Sequence, residues 1–181
     1  MKNALRHLII GLAWLAAITS AQADINFPEK LGPYTRGDKH TYDQPGLGYS
    51  YAYQGKDGWA TVYVFDMGLA DIPDGIDSDI IRRSVQDAVK SVKIYEERGH
   101  YANVQIVPLS GDFDILKDSF LMKKMEYQII KSDGEREDVV SYIFCRGQDG
   151  EILKVRMTGN RNANLEPDLL KFMMALRVET T

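Results

Sequence analysis

The chain has 181 residues, 22 basic and 26 acidic side chains, a formal net charge of −4 and a single cysteine. That acidic balance argues against nucleic acid as the main partner, and no cluster of Lys and Arg stands on one helix face to meet an anionic membrane. One cysteine forbids an intramolecular disulfide, so the fold must rest on its core.

Residues 1–23 have the pattern of an export signal. Lys2 and Arg6 precede the apolar run from Leu8 to Ile18, and Ala21-Gln22-Ala23 offers the small residues that a signal peptidase reads. The run is shorter than the ~20 residues needed to span a bilayer, so processing is expected to leave a domain over 24–181 with no transmembrane segment. The expected location is periplasmic or secreted. Loss of Lys2 and Arg6 leaves 20 basic against 26 acidic residues. A domain of this size buries about two-thirds of its unfolded surface and needs no disulfide.

Residues 24–33 hold two prolines and a glycine and read as an arm over the domain. Tyr34 to Tyr42 follows as a polar edge strand. Leu47 to Gln54 alternates Leu47, Tyr49, Tyr51 and Tyr53 with Gly48, Ser50 and Ala52, a period of two. A five-residue loop, Gln54 to Gly58, leads into Trp59 to Phe65. The simplest register sets Tyr53 opposite Trp59, Tyr51 opposite Thr61, Tyr49 opposite Tyr63 and Leu47 opposite Phe65. One face of the hairpin is then aromatic, and the other is small.

Past Pro73 and Gly75, Ser78 or Asp77 can cap a helix to Arg98, with Ile81, Val85, Ala88, Val92 and Tyr95 as its apolar stripe and Gly99 as its stop. This helix is expected to pack on the small hairpin face, including Ala52, Ala60 and Val62. Asn103 to Val107 and Asp112 to Leu116 are read as one interrupted strand or two. Phe120 to Lys131 shows one wet face, Glu137 to Arg146 is apolar on both faces, and Glu151 to Thr158 alternates Leu153, Val155 and Met157 with Lys154 and Arg156. Asn164 is placed to cap a last helix, with Pro167 in its first turn and Leu165, Leu169, Phe172, Met173 and Leu176 as core. The class implied is α+β: an antiparallel sheet of about six to seven strands with one long helix and a C-terminal helix packed on it.

The run Pro45-Gly-Leu-Gly-Tyr-Ser-Tyr51, then Thr61-Val-Tyr-Val-Phe-Asp66 and Ile72-Pro-Asp-Gly75, resembles small exported bacterial proteins of unknown function. More loosely, the element order is similar to the fold of the photosystem II extrinsic subunit PsbP. Neither resemblance implies an activity or carries over a functional residue.

Recognisable catalytic chemistry is sparse. His40 and His100 are the only histidines past the leader, and neither lies in a motif. Gly48-Tyr-Ser50-Tyr-Ala52 lacks the closing glycine and the strand-to-helix turn of a nucleophile elbow. Cys145 reads as a buried apolar residue. Asp66, Asp71, Asp74, Asp77 and Asp79 fit no calcium loop and suit turns and a helix N-terminus. No cofactor or metal site is expected. The leading reading is an exported, non-catalytic binding or accessory domain that contacts an envelope protein or envelope component. Its binding residues are taken to be Tyr51, Tyr53 and Trp59, open near the hairpin tip, with Tyr49, Tyr63 and Phe65 buried under the closing helix. The alternative is a hydrolase-like enzyme using acidic residues in a cleft.

Overall fold

The computed structural model describes residues 25, 27–109 and 111–179, so the expected leader and cleavage site lie outside the described residues. One antiparallel sheet of eight strands carries the fold, in the order β1-β2-β3-β4-β8-β7-β6-β5. The strands are β1 Lys30–Leu31, β2 Tyr34–Thr41, β3 Tyr49–Gln54, β4 Gly58–Phe65, β5 Tyr101–Val107, β6 Leu121–Ile130, β7 Arg136–Gln148 and β8 Glu151–Asn160. Helix α1 spans Asp79–Glu97 and α2 spans Glu166–Glu179. The strand beyond the expected seven is β1, a two-residue piece of the N-terminal arm paired to β2. Among the described residues no helix is long and apolar enough to cross a membrane.

Helix α1 starts and stops where its chemistry dictates. Ser78 caps it by accepting the Ile81 N–H at 3.3 Å. At its end Gly99 has a φ of +75°, and the N–H groups of Gly99 and His100 return to the carbonyls of Glu96 and Tyr95. In α2, Pro167 falls in the first turn as expected, but the first helical bond runs from the Leu169 N–H to the Leu165 carbonyl. Leu165, not Asn164, thus holds the capping position. Residues 111–116 are a 3₁₀ helix rather than a strand. Phe113 and Leu116, three apart, both turn into the core, and that spacing matches three residues per turn.

The expected hairpin register is wrong by one residue. Gln54 pairs with Trp59, Tyr53 with Ala60, Tyr51 with Val62 and Tyr49 with Val64. The Gly55 N–H bonds the Gly58 carbonyl at 2.9 Å, which shortens the loop to Lys56-Asp57. A slip of one residue exchanges faces. The tyrosines therefore share a face with the small set Ala60, Val62 and Val64, while Trp59, Thr61, Tyr63 and Phe65 point the other way.

Two cores result, one on each face. The larger holds Tyr53, Ala60, Val62, Val64, Tyr142, Phe144, Val155 and Met157 beneath α2, the 3₁₀ helix and Phe27 and Leu31 of the arm. Leu165 at the cap and the four α2 residues expected in the core, Leu169, Phe172, Met173 and Leu176, are all buried there. The smaller core joins Ile81, Val85 and Val92 of α1 to Met125, Tyr127, Ile143 and Cys145. Helix α1 therefore covers β5, β6 and β7 and does not pack on Ala60 and Val62, which lie under the opposite layer. Tyr95, expected in its buried stripe, is exposed.

Candidate functional site

Each layer leaves one corner of its sheet face bare. On the α1 face the bare corner is built from β4 and β8, flanked by Tyr42 and Leu47. Strand pairing sets Lys154 opposite Tyr63, Arg156 opposite Thr61 and Thr158 opposite Trp59. Tyr42, Leu47, Tyr63, Phe65 and Lys154 line an open hollow of about 200 Å³. The Lys154 ammonium lies 5.0 Å from the Tyr63 ring centroid and 4.7 Å from that of Phe65, within the range of cation–π attraction.

Two cations two residues apart on β8 occupy this face, and their circumstances differ. Arg156 donates to the Tyr127 hydroxyl at 2.9 Å and to Ser141 Oγ at 3.3 Å. Burial alone would lower its pKa, but the Tyr127 and Tyr101 phenols outweigh burial and raise it. Lys154 makes no ion pair or hydrogen bond among the described residues. Burial pushes its pKa down and the neighbouring Arg156 pushes the same way, against opposing effects of Cys145 and Asp87. A half-buried ammonium with ring faces around it but no hydrogen bond or ion pair is a costly arrangement.

The three residues expected to bind do not form one patch. Trp59 is 41% exposed, on the bare α1 face. Tyr53 is 1% exposed, with its hydroxyl donating to the Pro28 carbonyl at 2.8 Å and its ring edge-on to Phe172 at 5.3 Å. Tyr51 is partly buried on the same side, against Phe27 and beneath the Arg36 guanidinium. Tyr49 is buried as expected, and its hydroxyl accepts the Ile25 N–H. The arm supplies this cover, and Arg36 fixes it by donating to the Phe27 carbonyl. Phe65 is buried, but on the α1 face rather than under the closing helix, and Tyr63 remains partly open on that same face, because the one-residue shift in register turns both away from α2. The sequence reading missed Lys154 because it treated alternation in β8 only as a core signal. Its one sign was a lysine flanked by apolar residues in a strand expected inside the sheet.

On the α2 face the bare corner is polar. Asn103, Gln105, Glu126, Gln128, Asp138 and Arg161 line a cleft of about 220 Å³. Here partners are present: Arg161 pairs with Glu126 at 2.8 Å, Gln128 donates to Asp138 at 3.0 Å, and Asn103 donates to Gln128 at 3.0 Å.

The remaining candidates have structural duties. Ser50 is buried in β3 and bonded to the Tyr42 hydroxyl, and His40 and His100 lie at opposite ends of the strand order. Asp66 accepts the Gly68 N–H, Asp74 accepts the Asp149 N–H across the Gly75–Gly147 bridge, and Asp79 pairs with Arg82. Among the described residues no three His, Cys, Asp or Glu side chains converge to hold a metal. Cys145 lies under α1 beside Ser84, and burial pushes its thiol up to about 11, which leaves little thiolate at neutral pH. No family model, curated protein or solved structure matches the chain.

Proposed function

We propose that the chain is an exported, non-catalytic binding or accessory domain of the bacterial envelope, and that the bare aromatic corner of the α1 face is its contact surface. One observation carries the reading: a half-buried lysine without an ion pair, set in a ring-lined hollow at one end of β4, whose other end carries the exposed Trp59. Aromatic side chains offer rigid contact area at low entropic cost, and the unpaired ammonium supplies a charge for a partner to meet. The signal-like first 23 residues support the location. In the polar corner, Glu126 and Asp138 are already committed to Arg161 and Gln128.

Cell fractionation followed by mass spectrometry should find a mature chain starting at Asp24 outside the cytoplasm; intact Met1 on a cytoplasmic protein would overturn the export step. NMR spectra of labelled protein titrated with envelope extract should shift at Trp59, Thr61, Tyr63 and Lys154. Turnover of chromogenic esters, peptides or glycosides that is lost in Glu126→Gln or Asp138→Asn would replace this reading with the hydrolase.

A further inference from the structure

The geometry points to a site for a small monocarboxylate with a flat apolar body, seated in the cavity formed by Tyr42, Leu47, Tyr63, Phe65 and Lys154. The inference rests on the reading of this corner as the contact surface and names the chemistry it takes. The charge comes first. An ammonium has three N–H donors, and ring faces 4.7 and 5.0 Å away attract the charge without accepting those N–H groups as a carboxylate oxygen would. A carboxylate entering the cavity replaces lost hydration with a charge-assisted bond.

The number of charges comes next. Among the described residues Lys154 is the single cation lining the cavity, because Arg156 faces Tyr127 and Ser141. A monoanion balances one ammonium; a phosphate dianion would leave a second charge against Leu47 and Phe65, at a desolvation cost with nothing to offset it.

Shape and size settle the body. The walls are three rings and a leucine, which suit a flat apolar group laid against Leu47, Tyr42 and the open edge of Tyr63. A volume of about 200 Å³ falls below the usual 300–1,000 Å³ of drug-sized sites, so the occupant is a fragment rather than a nucleotide or a lipid. Leu47 is 40% exposed, which leaves the mouth open to entry.

The test is a two-dimensional NMR titration of the labelled protein with benzoate and phenylacetate, with benzamide and inorganic phosphate as controls. The carboxylates should move the Lys154 methylene and Tyr63 ring signals, and the controls should not. Lys154→Met should weaken carboxylate binding by about tenfold to a hundredfold, the worth of a hydrogen bond to a charged group. Leu47→Glu puts a negative charge at the exposed mouth and should weaken it several-fold without disturbing the core. Binding unchanged in both variants, or equal binding of phosphate or benzamide, would overturn the inference. If no carboxylate binds while envelope extract still shifts these signals, the carboxylate inference fails and the contact-surface reading stands. If neither shifts them, both fail.

Discussion

The two bare corners of the sheet lack a helix for the same reason, since each helix spans only part of its face, yet they have been finished in opposite ways. In the polar corner Glu126, Gln128, Asp138, Asn103 and Arg161 bond to one another across strands. In the aromatic corner Tyr63, Phe65 and Lys154 meet through ring faces, and the ammonium's hydrogen bonds are left to whatever arrives. Unsatisfied bonding capacity, more than openness, separates a surface that merely faces water from one built to be covered.

That contrast can be broken by mutation. The largest loss is expected at Arg156→Met, which removes charge-assisted bonds to Tyr127 and Ser141 and should cost about 1.5 to 3 kcal/mol in denaturant titration. A near-neutral result would make Arg156 as dispensable as Lys154 and erase the distinction between them. Next, Ala60→Leu should cost about 1 to 3 kcal/mol by overpacking the fully buried α2 layer. Its neighbour Thr61→Leu, facing the bare corner, should stay within about 0.5 kcal/mol. Equal costs would mean that the hairpin faces are assigned incorrectly. In the polar corner, Arg161→Ala should cost about 0.2 to 1 kcal/mol, because the Arg161 side chain is largely exposed.

The smallest expected loss is at Lys154→Met, within about 0.5 kcal/mol of wild type or more stable than it at neutral pH. The sign reverses the usual lysine case. The folded pKa lies below the ordinary 10.5, so the folded state gives up its proton first and the wild type gains stability as pH rises through the folded value toward 10.5. The gap between Lys154→Met and wild type should therefore move in favour of wild type between neutral pH and 10.5. A gap constant with pH would show that Lys154 is not held in a depressed state.

Local signals in the sequence reached the elements but not their sides. Helix α1 was legible because Ser78, the Ile81–Val85–Val92 stripe and Gly99 each act within a few residues of chain. The period of two in β3 and β4 was equally plain, yet their register depended on whether Gly55 and Gly58 pair or loop, a choice of one bond. The burial of Tyr53 was hidden because its cover comes from Pro28 and Phe172, far away in sequence. The site was less legible still. Lys154 and Arg156 are two steps apart on one strand, and only the tertiary placement of Tyr127 and Ser141 distinguishes their roles.

The pairing of β4 with β8 carries a consequence for how the chain is made. Gly58 through Phe65 pair with Gly159 through Ile152, so the two halves of the sheet join across roughly ninety intervening residues, the kind of non-local contact that slows folding. During synthesis from the N-terminus, β1 to β4 can assemble early as a local meander. Its β4 edge, with Val62 and Val64 on one side and Tyr63 and Phe65 on the other, then stays unpaired until β8, the last strand, has been made. Such an edge is a template for pairing with other chains. A nascent chain that ends before Glu151 would therefore present a sticky half-sheet, with the exposed β4 edge open to other chains until the C-terminal strand pairs with it.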